Sequence, residues 1–146
     1  MPKAVRPRSS SLSAEQLRQV RIPFVQRASL TRGSEREELF LVDLGVSGAF
    51  AERDRALPVG ERVTLSFPLP GNVNRIQVVC RVAWWHSPKV ALVTKALPAG
   101  LGLEFVEVSE ADRERLRAHL LDYLGKKSGR RFHRSRPLDD GGGDAP

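Results

Sequence analysis

The chain has 146 residues, of which 40% are hydrophobic and 6% are aromatic. This length supports one compact domain with a real core and excludes two domains of ordinary size. The net charge of +7 lies at the ends: residues 1–21 carry +4 and residues 126–146 carry +3, whereas residues 22–125 hold 13 basic and 13 acidic side chains. The basic composition therefore does not identify the central part of the chain as a nucleic-acid binder.

Both ends have the composition of disordered segments. Residues 1–13 are rich in Ser, Pro and Arg, and residues 126–146 are rich in Gly, Pro and charge, so neither can offset its ordering entropy by burial. We therefore predict one domain over residues 14–125 with disordered tails. The sequence shows no secretory signal or transmembrane stretch, and the single Cys80 fits a reducing compartment, which predicts a cytoplasmic protein.

Between the tails, short apolar or alternating runs are separated by turn residues, a pattern typical of β-strands. Turn signals recur about every ten residues, which favours a small antiparallel barrel or sandwich. The predicted strands are Phe24–Leu30, Glu38–Asp43, Ala49–Glu52, Arg62–Phe67, Arg75–Trp85, Val90–Lys95 and Gly102–Val106.

Two helices are predicted at the edges of this β-rich region. A short one runs from Ser13 to Val20, with Ser13 as its cap. A longer one starts after Ser109, which forms a capping-box pattern with Asp112, and it ends at Gly125, a residue suited to a helix C-terminus. Its apolar stripe, which should face the barrel, consists of Leu116, Leu120, Tyr123 and Leu124.

The sequence carries no convincing catalytic or metal motif. The segment Gly45–Ala49 resembles a nucleophile elbow around Ser47, but that motif needs a second glycine where Ala49 stands. We therefore predict that the chain is not an enzyme. The histidines are scattered without companion ligands, which predicts surface residues and no metal site: His86, His119 and His133.

Two other residue types are predicted to be structural. Cys80 lies within an apolar strand pattern and is expected to be a small buried hydrophobe. Trp84 and Trp85 alternate between the two faces of a strand, so one ring should lie in the core and the other should be partly exposed.

The strongest candidate for a binding site lies around Asp43. Its carboxylate stands at a strand end, where it can accept two hydrogen bonds from the Watson–Crick edge of a guanine. Gly45 and Gly48 follow, and they either let the backbone approach a ligand or adopt positive φ in a bend. Arg18 and Arg21 precede the first strand, where a guanidinium can bind a phosphate or the O6/N7 edge of guanine.

From about Leu17 to Leu124 the chain resembles the PilZ domain family, which are bacterial receptors for cyclic di-GMP. The resemblance implies a six-stranded antiparallel β-barrel with one C-terminal helix. The segments that carry it are, in order, "RIPF", "DLGVSGAFAE", "LPVGERVTLSFPLP", "CRVAWW", "GLGLEF" and the helix start "VSEADRERL".

The ligand motif of the family is only partly matched. The family pattern has two arginines separated by three residues, followed by D/N-x-S-x-x-G. In this alignment Arg21 is the second arginine and Leu17 stands in place of the first, with Arg18 as a substitute. Asp43 and Gly48 match the turn, whereas Gly45 replaces its serine. The two departures would weaken binding by about 2 to 4 kcal/mol, or roughly thirty- to a thousandfold.

Two hypotheses therefore stay open for a regulatory module that docks on a protein partner. In the first, Arg18, Arg21 and Asp43 bind cyclic di-GMP, which orders the N-terminal segment against the barrel and thereby changes the surface offered to that partner. In the second, the domain has lost the nucleotide and is an interaction adaptor, for instance in motility or polarity. A less favoured third hypothesis is nucleic-acid binding by the basic segment 126–136.

Overall fold

The computed structural model describes residues 12–87 and 98–135, and only the backbone of residues 127–135. These residues form two helices and six strands. The elements are α1 (Ala14–Arg18), β1 (Ile22–Arg32), β2 (Glu35–Leu44), β3 (Gly48–Glu52), β4 (Arg62–Phe67), β5 (Ile76–His86), β6 (Gly100–Val108) and α2 (Glu110–Ser135).

The strands close into a barrel with the order β1-β2-β3-β6-β5-β4, and all of its pairings are antiparallel. The first strand closes the barrel because it pairs with β2 along one edge and with β4 along the other. This confirms the predicted six-stranded antiparallel barrel with a C-terminal helix. The predicted strand Val90–Lys95 and the predicted disorder of residues 1–11 and 136–146 lie outside the described residues.

Alternation along the strands builds the core. In β4 every second residue is buried, namely Val63, Leu65 and Phe67. The same period of two continues in β5, where Cys80 is fully buried. Burial raises the pKa of the Cys80 thiol to about 12, which confirms that this residue is a small buried hydrophobe.

The start of α2 is bonded to the barrel through one buried carboxylate. The Asp112 N–H donates to Ser109 Oγ at 3.1 Å, as the predicted cap requires. The Asp112 side chain, which is 11% exposed, instead accepts the backbone N–H of Gln77 in β5 at 3.1 Å and pairs with Arg115. Asp112 therefore joins the helix to the sheet as well as serving its N-terminus.

The predicted end of this helix at Gly125 is wrong, because α2 continues to Ser135. The first ten residues of the predicted tail are therefore helical. A glycine inside a helix costs only about 1 kcal/mol, and it ends a helix when its backbone turns left-handed. Gly125 is not among the glycines with positive φ, and Lys126 pairs with Asp122 across it at 3.2 Å.

The apolar side of α2 packs on the barrel through Leu116 and Leu120, which are fully buried. His119 lies edge-to-face on Phe24, with 5.5 Å between the ring centroids, and burial lowers its pKa. The predicted surface location is therefore wrong for His119. It is also wrong for His86, whose Nε2 is buried, whereas the side chain of His133 lies outside the described residues.

Within residues 12–87 and 98–135 no group of three or more His, Cys, Asp or Glu side chains could hold a metal ion. In the same part of the chain, no helix combines the length and the apolar character needed to cross a membrane.

Replacing Asp112 tests how α2 is attached. The Asp112→Ala variant loses the acceptor for the Gln77 N–H, so we expect a loss of about 1.5 to 3 kcal/mol in the free energy of unfolding. Urea denaturation followed by tryptophan fluorescence measures it. The control is Asp122→Ala on the exposed side of α2, where the ion pair with Lys126 contributes about 0.5 kcal/mol. Equal losses in the two variants would contradict the role given to Asp112.

Candidate functional site

The turn between β2 and β3 is held from two sides. Its backbone is closed by the Gly45 N–H, which donates to the carbonyl of Gly48 at 2.8 Å. On one side the Phe105 N–H of β6 donates to the carbonyl of Ser47 at 2.9 Å. On the other side the Ser47 hydroxyl donates to the carbonyl of Arg18 at 3.1 Å. The turn is therefore fixed both to the barrel and to the segment before β1.

We call this segment, residues 13–21, the leader. It contains α1, which begins with a capping box: Gln16 N–H donates to Ser13 Oγ at 3.0 Å, and Ser13 N–H donates to Gln16 Oε1 at 2.9 Å. This confirms the predicted helix start at Ser13. Leu17 is only 5% exposed and belongs to the main hydrophobic core. The leader is therefore packed on the barrel.

Arg21 and Asp43 lie beside each other, as the sequence predicted. Arg21 Nη1 donates to Asp43 Oδ1 at 3.4 Å, and their side chains are 41% and 26% exposed. The same Oδ1 accepts the backbone N–H of Phe50 at 3.0 Å, which fixes the carboxylate against β3. Among the described residues no hydrogen bond reaches the second oxygen, Oδ2. The pair therefore presents one carboxylate oxygen and part of a guanidinium to solvent.

Gly45 and Gly48 make room for Arg21. A Cβ atom at Gly45 would lie 2.8 Å from Arg21 Nε and 2.7 Å from the carbonyl oxygen of Val20. At Gly48 it would lie 2.8 Å from Arg21 Nη2 and 2.4 Å from the carbonyl oxygen of Leu103. Neither Gly45 nor Gly48 has a positive φ, so a left-handed backbone does not explain why glycine stands at these positions. These residues are therefore required by the close approach of the leader and β6, and a ligand role for them stays a prediction.

Arg18 occupies a different position from Arg21. Its carbonyl binds the turn through Ser47, and its exposed side chain lines a cavity between the leader and α2. The structure thus brings Arg21 to Asp43 but directs Arg18 elsewhere. A role of Arg18 in ligand binding stays a prediction.

A row of residues continues from Asp43 across the outer face of the barrel. Asp43 lies opposite Phe50, Phe50 opposite Gly102, and Gly102 opposite Trp84. The Phe50 and Trp84 rings lie 5.4 Å apart between centroids, and a Cβ at Gly102 would lie 2.0 Å from Trp84 Nε1. Trp84 is 44% exposed. Phe50 is only 1% exposed, so the Trp84 indole is the exposed aromatic group of this row, on the face of the Arg21–Asp43 pair.

The sequence predicted one exposed and one core tryptophan, and this is confirmed, since Trp85 packs partly on the core. It did not identify Phe50 and Trp84 as neighbours on the outer face. The available signal was Gly102, because a glycine in a strand marks a site of close approach. Trp84, the residue that approaches Gly102, lies on β5, so its contact with Gly102 can be recognised only once the pairing of β5 with β6 is known.

Comparison with models of protein families gives a match over most of the chain. The model of the PilZ domain matches residues 15–122. A comparison with curated proteins gives no match. Among solved structures, the Bacillus subtilis inhibitor of motility MotI/DgrA superposes with a TM-score of 0.60 and 18% identity, covering 82% of this chain and 57% of that one.

Two Escherichia coli structures are also similar. YcgR in complex with c-di-GMP has a TM-score of 0.58 and 16% identity, and the match covers 80% of this chain and 49% of YcgR. The isolated PilZ domain of YcgR with c-di-GMP has a TM-score of 0.54 and 15% identity, and the match covers 78% of this chain and 95% of that domain. The chain thus spans about half the length of the full-length relatives, and at such low identity the likeness shows the fold alone.

The match of the family model covers most of the chain and includes residues 15–21 of the leader, all six strands and the first half of α2, with Leu116 and Leu120. The chain belongs to the PilZ domain family.

Proposed function

We propose that this chain is a non-enzymatic, cytoplasmic regulatory module that binds cyclic di-GMP weakly through Arg21 and Asp43 and acts on a protein partner. The observation that carries the proposal is the Arg21–Asp43 pair on the outer face of the barrel, at 3.4 Å. The fold likeness to YcgR, which was solved with c-di-GMP, and to an inhibitor of motility favours the same ligand and a role in motility.

The pair has the groups that a guanine nucleotide needs. A carboxylate accepts hydrogen bonds from guanine N1 and N2, and a guanidinium binds a phosphate or the O6/N7 edge. Because the contact between Arg21 and Asp43 is long and exposed, opening it costs less than about 1 kcal/mol. A ligand can therefore replace this contact without disturbing the fold.

Trp84 extends the proposed site. It lies three strands away from Asp43, which corresponds to about 14 Å along the sheet. Its exposed indole offers a surface on which a purine can stack. Arg18 would reach the ligand only after its side chain leaves the cavity that it now lines.

Weak binding is expected because two of the family's ligand groups are absent. Leu17 stands in place of the first arginine, and Gly45 stands in place of the serine. Each missing hydrogen bond costs about 0.5 to 3 kcal/mol, depending on its charge. The nucleotide affinity is therefore expected to lie roughly thirty- to a thousandfold below that of a chain with the full motif.

Calorimetric titration with cyclic di-GMP tests the proposal. We expect measurable binding by the unaltered chain and a loss of about ten- to a hundredfold in Arg21→Ala and in Asp43→Ala, since each removes a charged hydrogen-bond partner. Arg62→Ala is the matched control, because Arg62 forms an exposed ion pair with Glu107 at 3.1 Å on another part of the barrel. Its affinity should be unchanged.

A titration without heat at high micromolar nucleotide would contradict the nucleotide part of the proposal. So would equal affinities in Arg21→Ala, Asp43→Ala and the unaltered chain. Thermal unfolding of each variant shows whether it is folded, which matters for Asp43 because its carboxylate also accepts the Phe50 N–H.

A second candidate function is a PilZ adaptor that binds its partner without nucleotide. The buried side chain of Leu17 favours it, because this residue holds the leader on the barrel where the family pattern places a ligand arginine. An arginine at this position would have to leave the core. A serine at Gly45 would lie against the carbonyl of Val20, so restoring the motif would displace the leader rather than only add ligand contacts.

Cleavage by trypsin after Arg18 and Arg21 separates the two candidates. We expect Leu17→Ala to release the leader and accelerate this cleavage, since truncating a buried leucine to alanine costs about 2 to 5 kcal/mol, including the cavity that it leaves. Leu12→Ala, at an exposed position of the same region, should not change the rate. Mass spectrometry of the fragments measures the cleavage rates of both variants.

The effect of cyclic di-GMP on the cleavage rate of the Leu17→Ala variant then decides between the receptor and the adaptor. Slower cleavage in the presence of cyclic di-GMP supports the receptor, because the ligand would order the released leader. An unchanged rate supports the adaptor. If Leu17→Ala is cleaved no faster than the unaltered chain, this side chain does not hold the leader.

A further inference from the structure

A cavity of about 470 Å³ lies between the leader, the β2–β3 turn, the end of β6 and the first turns of α2. We call it the arginine cleft, because Arg18, Arg113 and Arg117 line it and none of the described residues that line it is acidic. Its floor is apolar and includes Val46 and Phe105, both half-buried. The cleft therefore combines positive charge at its rim with an apolar surface below.

The arginines of the cleft are free to bind an external anion. Arg113 makes only a 3.5 Å contact with the carbonyl of Val108, and Arg117 lies 3.6 Å from Glu114 with both side chains largely exposed. Such exposed ion pairs contribute little. Among the described residues Arg18 has no ion-pair partner. A carboxylate that enters the cleft can therefore bind these groups at a small desolvation cost.

The walls of the cleft are already in place. Arg113 and Arg117 are four residues apart and project from the same side of α2. This helix is attached to β5 through Asp112, and the opposite wall is attached through the bond between Ser47 and Arg18. A binding surface that is ordered in advance loses little entropy when a partner docks.

The surroundings of the cleft favour a short acidic segment over a long polyanion. Exposed glutamates lie next to its lining residues in the sequence of β6 and α2: Glu104, Glu107 and Glu114. A nucleic acid would have to pass its phosphates over these carboxylates, and it needs an extended positive surface. A peptide with one or two carboxylates and an apolar side chain avoids them.

We propose that the arginine cleft docks an acidic segment of a protein partner, which places an apolar side chain against Val46 and Phe105 and its carboxylates on Arg113 and Arg117. The inference rests on the proposed role as a module that acts on a protein partner. It does not require cyclic di-GMP, since neither Arg21 nor Asp43 is among the residues that line the cleft.

The probe is a fluorescein-labelled peptide of alternating glutamates and leucines, titrated with the full chain and followed by fluorescence anisotropy. Arg113→Glu and Arg117→Glu should each weaken binding at least about tenfold, because a charged contact becomes repulsive. Arg55→Glu, an exposed residue outside the cleft, changes the net charge equally and should have little effect. A peptide with lysine in place of each glutamate should prefer the charge-reversed variants.

Three results would overturn the inference. The first is equal weakening by Arg55→Glu and by the cleft variants, which would indicate general charge attraction. The second is a single-stranded oligonucleotide that binds through the same arginines more tightly than the peptide, which would indicate a nucleic-acid site. The third is loss of cyclic di-GMP binding in Arg117→Glu but not in Arg55→Glu, which would make the cleft part of the nucleotide site.

Failure of this inference can be distinguished from failure of nucleotide binding. The peptide titration contains no nucleotide, and Asp43→Ala should leave it unchanged. Peptide binding without nucleotide binding would support the cleft and the adaptor together.

Discussion

Arg21 lies across the backbone of Gly45 and Gly48, and the candidate site depends on this contact. The two glycines bring the β2–β3 turn so close to the leader that the guanidinium meets Asp43 at the end of β2. A side chain at either glycine would collide with backbone atoms as well as with Arg21. The geometry of the turn therefore sets where the charged pair can be.

The contacts of the leader differ greatly in strength. The ion pair of Arg21 with Asp43 is exposed and contributes at most about 1 kcal/mol. Burial of Leu17 contributes about 1.5 to 3 kcal/mol. The charged pair can therefore open while the helix stays packed. A ligand at Asp43 and a partner in the arginine cleft would contact different residues of a leader that remains in place.

Much of this fold could be predicted from the sequence because its strands are short apolar or alternating runs, with regular alternation in β4 and most of β5, and because its turns carry Gly and Pro. The strand β4 matches its predicted bounds, and Ser13 caps a helix as expected. The end of α2 could not be predicted, since a single glycine is too weak a signal to stop a helix whose other residues continue it. The local sequence alone does not distinguish a glycine that ends a helix from one that lies inside it.

The charged pair was predictable, whereas its surroundings were not. Arg21 and Asp43 belong to a motif that can be read along the chain. Burial of Leu17 and the contact of Phe50 with Trp84 arise from elements distant in sequence, and they depend on which strands become neighbours. The same is true of the arginine cleft, which combines residues from the leader and α2.

Cys80 makes opening of the barrel measurable by thiol labelling. It is the single cysteine of the chain, it is fully buried in β5, and its high pKa leaves almost no thiolate at neutral pH. Alkylating reagents would therefore reach it only when the barrel opens, so its labelling rate reports that opening directly. A cysteine introduced on the surface would be the one thiol that reacts in the folded chain, and dyes could be attached there without removing the natural residue.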